Sequence, residues 1–204
     1  MKKMLLVSMF QNVYPFVKEI EPAISGQTIT YIPTASKVEK LGFFVRLGKR
    51  KLRKLGLAIE ELDISTASYE TIKSTLERND CIYIAGGNTF FLLQEMKRTG
   101  ADKLIIEAVN GGKLYIGESA GAIIVAPDIE YSSPMDDKQK APQLQNYSGL
   151  QLVDFYVVPH QGHWQFKETV ATISENYSGK LDLRIINDHQ AVFVEGEKVR
   201  LLEK

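Results

Sequence analysis

The chain has 204 residues, of which 44% are hydrophobic, and its 25 basic and 25 acidic side chains cancel. This length suits one α/β domain spanning residues 1–204, and the balanced charge argues against binding to nucleic acid or to anionic membrane surfaces. A single cysteine, Cys81, excludes an internal disulfide, and no apolar run approaches the roughly 18 residues that cross a membrane. We therefore expect a cytoplasmic protein.

The N-terminal segment superficially resembles a signal peptide, because Lys2 and Lys3 precede an apolar run. That run ends at Phe10, and no small-residue cleavage site follows it. We therefore predict that residues 4–9 form the first buried strand.

Short apolar runs alternate with segments of helical periodicity, which is typical of a mostly parallel sheet with helices on both faces. The predicted strands are 4–9, 29–33, 58–62, 81–85, 113–117, 155–159, 184–187, 191–195 and 199–202, the last two forming a terminal hairpin. The predicted helices are 41–55, 72–76, 89–99, 103–110 and 166–177.

The first long predicted helix is strongly basic, with six lysine and arginine residues between Arg46 and Lys54. Phe44, Leu52 and Leu55 interleave with them at the spacing of a core-facing stripe. Given the zero net charge, this pattern favours a solvated helix face over a nucleic-acid site.

A glycine-rich turn, Gly86-Gly87-Asn88, follows the predicted strand 81–85 and opens a helix. Its glycines allow close approach of a ligand, and its N–H groups can bind an anion or an oxyanion. A plain strand-to-helix turn with Asn88 as the N-cap fits nearly as well, and the two interpretations are compatible.

The segment Gly117-Glu118-Ser119-Ala120-Gly121 has the pattern G-x-S-x-G between a predicted strand and a helix. This is the setting of a nucleophile elbow, in which a strained turn exposes the serine hydroxyl and the next N–H can receive an oxyanion. The same pattern also occurs as a helix N-cap or a phosphate-binding turn.

Two features can supply partners for such a serine. Residues 127–149 form a long loop that directly follows the elbow helix and can fold back over it; its Asp136 and Asp137 are candidates to orient a histidine, or they belong to a solvated turn. His160 ends an apolar strand, at the sheet edge where Ser119 also lies, which favours a general base. His163 and His189 fit surface or core positions better.

A metal site built from His160, His163, Asp136 and Asp137 has no support from an H-E-x-x-H motif or from cysteine pairs. We therefore expect no metal and no organic cofactor.

Four segments together make the chain resemble the dipeptidase E family of serine peptidases, which includes aspartyl dipeptidases and is related to cyanophycinases. They are Ile-Pro-Thr-Ala at 32–35, Gly-Gly-Asn-Thr-Phe at 86–90, the elbow at 115–122 and Pro-His at 159–160. The resemblance covers most of the chain. It implies a flavodoxin-like fold similar to class I glutamine amidotransferases, with serine in place of their cysteine.

The resemblance also implies roles for individual residues. Ser119 would be the nucleophile, His160 the base, and Asp136 the orienting carboxylate, or Asp137 if the alignment shifts by one residue. Gly87 and Ala120 would form the oxyanion hole, with Asn88 beside them in substrate binding.

One departure from the family concerns substrate choice. Aspartyl dipeptidases have an arginine-bearing segment shortly after the histidine, whereas residues 161–168 here contain only Lys167 as a cation. Lysine lacks the bidentate geometry of arginine. A preference for an N-terminal aspartate therefore does not follow.

These patterns predict a serine peptidase that hydrolyses small peptides through an acyl-enzyme on Ser119. The alternatives are a non-peptidase amidase or esterase, and an inactive protein that binds a ligand on the same scaffold. The sequence is compatible with a homodimer and does not determine the oligomeric state.

Overall fold

The structure, a computed structural model, describes residues 1–39 and 42–203; Leu41, which the predicted first long helix includes, lies outside these ranges. The strands are β1 Lys3–Val7, β2 Thr28–Ile32, β3 Ala58–Glu61, β4 Cys81–Ile84, β5 Leu114–Glu118, β6 Tyr156–Gln161, β7 Leu183–Asn187, β8 Gln190–Glu195 and β9 Lys198–Glu203. The helices are α1 Phe10–Val13, α2 Phe16–Ile20, α3 Gly42–Lys54, α4 Tyr69–Arg78, α5 Thr89–Thr99, α6 Ala101–Asn110, α7 Ala120–Ile123 and α8 Lys167–Tyr177.

Seven of these strands form one sheet in the order β3-β2-β4-β5-β1-β8-β9. Neighbours from β3 to β1 are parallel, whereas β8 pairs antiparallel with both β1 and β9. The predicted mostly parallel α/β sheet is thus confirmed, as is the terminal hairpin of β8 and β9. The helices cover both faces, as the uninterrupted apolar runs predict.

Successive residues of the central strands contribute to two separate cores, one on each face of the sheet. Along β1, Met4 and Leu6 belong to one core and Leu5 and Val7 to the other, and all four side chains are fully buried. This alternation follows from the two-residue period of a strand. The parallel pairing of β1 and β4 with β5 places the carboxyl ends of the three strands together at one edge, where the loops meet.

Two elements differ from the simplest prediction from sequence. The strand predicted at 155–159 does not join the main sheet: β6 pairs in parallel with β7 in a separate two-stranded sheet, with a register irregularity between Val158 and Gln161. The short helices α1 and α2 were not predicted, because at four and five residues they are too short to show a helical period.

The loop of residues 127–149 is a structured excursion with its ends joined. Asp128 bridges to Ser148, and the N–H of Ile129 donates to the carbonyl of Tyr147 at 2.9 Å. Two short 3-10 turns, Glu130–Ser132 and Lys138–Lys140, lie within it. This closure brings residues 135–137 to the carboxyl edge of the main sheet.

Helix α3 follows its predicted pattern only in part. Leu52 and Leu55 are buried, whereas Phe44 is 38% exposed and the neighbouring Phe43 60% exposed. The first turn of this helix therefore does not pack into the core. No helix in the described ranges is long and apolar enough to span a membrane.

Candidate active site

Ser119 sits at a sharp turn between β5 and α7. Its backbone adopts φ 50° and ψ −106°, outside both helical and extended regions, as a nucleophile elbow requires. The glycines on either side have no room for a side chain: a Cβ atom at Gly117 would lie 2.3 Å from the carbonyl oxygen of Gly121, and one at Gly121 would lie 2.4 Å from that of Ile84. The predicted elbow geometry is present.

His160 faces this serine from the end of β6. Its Nε2 lies 3.0 Å from the Ser119 Oγ, and its Nδ1 lies 2.9 Å from the Oδ1 of Asp188. The side chains of His160 and Asp188 are only 7% and 14% exposed. A hydroxyl, an imidazole and a carboxylate are thus aligned as in a Ser-His-Asp triad.

The carboxylate in this alignment is not one of the two predicted from the sequence. The Oδ2 of Asp136 accepts hydrogen bonds from both the N–H and the Oγ1 of Thr89, at the start of α5. Asp137 caps a 3-10 turn by accepting from the N–H of Gln139 at 2.9 Å. The loop is therefore fastened to α5, and this corrects the expectation that Asp136 or Asp137 contacts the imidazole.

Asp188 reaches the imidazole because of the pairing of β6 with β7. These strands run in parallel, so the residue after β7 ends up beside His160 near the end of β6. In the turn from Asn187 to Gln190, only His189 was considered from the sequence, and its side chain is exposed. The sequence did contain a signal for Asp188, because this aspartate follows a predicted strand, as Ser119 and His160 do.

The end of β1 supports both the serine and the histidine. The carbonyl of Val7 accepts from the N–H of Ser119 at 2.9 Å, and the Ser8 Oγ accepts from the N–H of His160 at 3.0 Å. Ser8 is 1% exposed and also donates to the carbonyl of Ile186, at 3.2 Å. Two consecutive residues thus hold the backbones of Ser119 and His160.

Aromatic packing fixes the orientation of the His160 ring. The ring of Phe166 stacks on that of His160, with centroids 4.5 Å apart and planes 18° from parallel. The His163 ring lies further away, at 6.1 Å from His160. Phe166, the first residue of the predicted helix 166–177, is therefore a wall of this site.

Glu118, the residue before Ser119, makes hydrogen bonds within the protein. Its two carboxylate oxygens accept from the N–H of Phe10 at 2.8 Å and from the hydroxyl of Tyr83 at 2.7 Å. Burial raises the pKa of this carboxyl, which these two hydrogen bonds oppose. Glu118 therefore ties β5 to β4 and α1 below the elbow.

The second glycine turn lies opposite the elbow. Gly87 has φ 144°, and a Cβ atom there would lie 2.1 Å from the carbonyl oxygen of Ala35, so only glycine fits. Asn88 caps α5 by accepting from the N–H of Phe91 at 2.9 Å, and its amide donates to the carbonyl of Asp137 at 3.0 Å. Because its side chain is fully buried by these contacts, Asn88 does not offer the predicted substrate contact.

Ser119 and His160 open into a cavity of about 430 Å³, within the range typical of small-molecule sites. The cavity is lined by Ser8, Met9, Glu39, Phe44, Val45, Ala85, Gly86, Gly87, Glu118, Ser119, Met135, Asp136, Asp137, His160, His163, Gln165 and Phe166. The loop of residues 127–149 thus reaches the site, as its position in the sequence predicts. In the described ranges, no cluster of three histidine, cysteine or carboxylate side chains is arranged to hold a metal ion.

Comparison with protein families decides the relationship. Residues 4–202 match the model of peptidase family S51. The chain belongs to peptidase family S51. The dipeptidase E resemblance noted in the sequence is thereby confirmed, and this S51 member is a peptidase.

Individual relatives agree with this assignment. An uncharacterized peptidase of Listeria monocytogenes is 51% identical over 98% of this chain and 97% of its own length. Peptidase E of Haemophilus influenzae is 28% identical over 80% of this chain and 78% of its own length.

Solved structures show the same fold. A crystal structure named as a candidate peptidase E protein from Listeria monocytogenes superimposes with a TM-score of 0.96 at 49% identity, covering 100% of this chain and 99% of that one. A peptidase from an acI-B1 actinobacterium superimposes with a TM-score of 0.72 at 18% identity, covering 100% and 88%, which speaks for the fold alone.

Proposed function

We propose that this S51 peptidase hydrolyses small peptides through an acyl-enzyme on Ser119, with His160 as general base and acid and Asp188 as the orienting carboxylate. The observation that supports this most directly is the chain of two hydrogen bonds, 3.0 Å from Ser119 Oγ to His160 Nε2 and 2.9 Å from Nδ1 to Asp188. A carboxylate at Nδ1 keeps the proton there and leaves the Nε2 lone pair facing the hydroxyl.

Acylation then follows from these positions. His160 Nε2 takes the proton of the Ser119 hydroxyl while Oγ forms a bond to the scissile carbonyl carbon, giving a tetrahedral intermediate with a negatively charged oxygen. The imidazolium, stabilised by Asp188, transfers that proton to the leaving amine nitrogen as the carbon–nitrogen bond breaks. The product amine departs and the acyl group stays on Ser119.

The negatively charged oxygen needs hydrogen-bond donors, and the two strand-end turns supply candidates. The N–H of Ala120 is the first in α7 and has no acceptor within that helix, as at any helix N-terminus. The N–H of Gly87 belongs to the glycine turn on the opposite side of the cavity. By comparison with other hydrolases, each such donor lowers the barrier by roughly 3 kcal/mol.

Deacylation repeats the same proton transfers with water. A water molecule gives a proton to His160 Nε2 and bonds to the acyl carbon, and the bond to Ser119 Oγ breaks as the proton returns to that oxygen. The carboxylic acid product leaves, and the enzyme returns to its starting state. This chemistry needs only residues of this chain and water.

Ser119→Ala tests the proposal. We expect peptide hydrolysis to fall by about three or more orders of magnitude, and fluorophosphonate labelling to disappear, with the thermal unfolding temperature unchanged within a few degrees. Ser174→Ala on α8 makes the same chemical change on the surface of the protein and serves as the control. Equal hydrolysis by wild type and Ser119→Ala would refute the mechanism, and absence of labelling in wild type would indicate a binding protein.

A further inference from the structure

The cavity in front of Ser119 has an unbalanced charge. Its lining includes four carboxylate side chains, and no lysine or arginine lines it among residues 1–39 and 42–203. The carboxylates are Glu39, Glu118, Asp136 and Asp137. A peptidase that grips an acidic substrate would be expected to show the opposite arrangement.

Three of the four carboxylates keep an oxygen atom without a hydrogen-bond partner among the described residues. Glu118 has both oxygens occupied, whereas Asp137 uses only its Oδ1, for the N–H of Gln139. Asp136 uses its Oδ2 for Thr89, which leaves Oδ1 for another donor. Glu39 is exposed and forms no ion pair with any residue of the described ranges.

The pKa of Asp136 is raised, as expected for a buried carboxyl without a positively charged side chain beside it in the described ranges. Burial, together with the negative charge of Glu39, raises the pKa of its carboxyl to about 6, even though the Thr89 hydrogen bonds and His160 act to lower it. Two carboxylates that repel each other in a partly desolvated cavity are stabilised by any cation bound between them. Around neutral pH the site therefore favours a positively charged group.

Among the described residues, three lysines that lie close in sequence to lining residues do not supply that charge. Lys37 pairs with Asp63 at 3.3 Å. Lys138 donates to Glu130 at 3.1 Å, and its Nζ lies 4.6 Å from the centre of the Tyr147 ring. Lys167 begins α8 and does not line the cavity. The lysine that could have replaced the arginine of aspartyl dipeptidases is therefore not placed to contact substrate here.

The remaining walls of the cavity are apolar. They are formed by Met9, Phe44, Val45, Met135 and Phe166. Phe44 lines the cavity instead of packing into the core, and 38% of its surface is exposed. Such walls favour a substrate side chain without charge.

We propose that this site recognises peptides by a free, positively charged N-terminal amino group, bound by Asp136 and Glu39, and accepts an apolar rather than an acidic N-terminal side chain. The inference rests on the proposed function, because attack by Ser119 fixes where the scissile carbonyl lies. In a peptide cleaved after its first residue, the amino group is attached to the carbon next to that carbonyl. The amino group must therefore lie in the same cavity that these carboxylates line.

The same geometry argues against an aspartate at the N-terminus. Its side-chain carboxylate would share the cavity with Asp136 and Glu39, and like charges in a partly desolvated space repel each other strongly. The site thus selects its substrate both by attraction of the amino group and by repulsion of an acidic side chain.

Three dipeptides with the same leaving residue test the inference: Met-Ala, N-acetyl-Met-Ala and Asp-Ala. We expect kcat/KM for Met-Ala to exceed that for each of the other two by at least about tenfold, since a charge-assisted hydrogen bond is lost in one and a like charge is added in the other. Fluorophosphonate labelling of Ser119, measured in parallel, reports the nucleophile without any amino group.

Variants then separate binding from a structural role. Asp136→Asn, whose amide oxygen can still accept from Thr89, should raise KM for Met-Ala about tenfold, with a smaller effect on kcat and on the labelling rate. Glu39 is exposed at the rim of the cavity, so Glu39→Gln should leave folding unchanged. We expect it to raise KM for Met-Ala by a few fold. Glu130→Gln removes a charge from the same loop outside the cavity, and we expect it to leave every rate unchanged.

Several results would overturn the inference while leaving the nucleophile intact. These are equal hydrolysis of Met-Ala and its N-acetyl form, faster hydrolysis of Asp-Ala, no hydrolysis of any of the three by an enzyme that still takes the label, and equal loss of peptide hydrolysis and labelling in Asp136→Asn. Failure of wild type to take the label would instead refute the proposed function itself.

Discussion

Replacing Asp188 with asparagine is the most direct test of the carboxylate that the structure places at His160. The introduced side-chain amide would present either its NH2 group or its oxygen to Nδ1. If the NH2 group faces Nδ1, the ring proton moves to Nε2, and His160 can no longer accept the proton of Ser119. If the oxygen faces Nδ1, the tautomer is kept, but the negative charge that stabilises the imidazolium is gone.

The expected size of the effect follows from the burial of this pair. His160 and Asp188 are 7% and 14% exposed and 2.9 Å apart, so water cannot replace the lost charge. The comparable substitution in other triads lowers kcat by up to about 10⁴, and we expect a loss of about 10³–10⁴ here, or roughly 4–5.5 kcal/mol of transition-state stabilisation. The fold should persist, because Asn12 bonds to the backbone carbonyl of Asp188, at 3.1 Å, rather than to its side chain.

The assay compares three variants that each convert one aspartate to asparagine. Peptide hydrolysis and fluorophosphonate labelling are measured for Asp188→Asn, for Asp136→Asn, and for Asp182→Asn, which lies exposed at the other end of β7. Only Asp188→Asn should reduce both readouts by orders of magnitude. Retention of activity within about tenfold of wild type in Asp188→Asn, or a collapse of labelling in Asp136→Asn instead, would refute our assignment of the orienting carboxylate.

Three further predictions concern the surroundings of this pair. Ser8→Ala removes the acceptor for the N–H of His160 and should cost about 1–3 kcal/mol of folding stability, with kcat reduced more than KM is changed; an unaltered melting curve and unaltered kcat would contradict it. Phe166→Ala removes the ring stacked on His160 and should lower kcat about tenfold, whereas Phe43→Ala, a matched exposed phenylalanine outside the cavity lining, should not. Asp136 has a pKa of about 6 against a reference value of 3.8, so its contribution to folding stability falls as pH rises from about 4 to 6. Asp136→Asn should therefore gain stability relative to wild type by about 1–3 kcal/mol at pH 7.5 and not at pH 4; calorimetry at the two pH values measures this, and an equal difference at both would contradict it.

Single strands and tight turns of this fold could be predicted from the sequence, because neighbouring residues determine them. The strand predicted at 81–85 is observed as Cys81–Ile84, and the hairpin turn at Gly196 lies between the predicted strands 191–195 and 199–202. The elbow was recognisable because Gly117 and Gly121 meet steric limits within a few residues of Ser119. In each case the pattern and its cause lie in the same short segment.

The carboxylate that contacts His160 could not be predicted from the sequence, because its position depends on which strands pair. The loop holding Asp136 and the turn holding Asp188 both lie at the carboxyl edge of the strands, and nothing local ranks one above the other. The pairing of β6 with β7 brings Asp188 to the imidazole, and the contact of the loop with Thr89 takes Asp136 away from it. The same limit applies to Phe166, whose place in the predicted helix 166–177 did not show that its ring stacks on that of His160.

Backbone strain in this protein is concentrated at the two residues whose side chains must meet. Within the described ranges the non-glycine residues with positive φ are Ser119 at 50°, His160 at 68° and Gln151 at 52°. Such conformations cost of order 1–3 kcal/mol each and persist only where the surroundings enforce them. Here Val7 accepts from the N–H of Ser119 and Ser8 from that of His160, so consecutive residues at the end of β1 enforce both. Because β1 lies inside the main sheet, between β5 and β8, the backbones that carry the hydroxyl and the imidazole are both held by an interior strand. Neither of these two hydrogen bonds involves the loop of residues 127–149, so they hold the backbones of Ser119 and His160 independently of that loop.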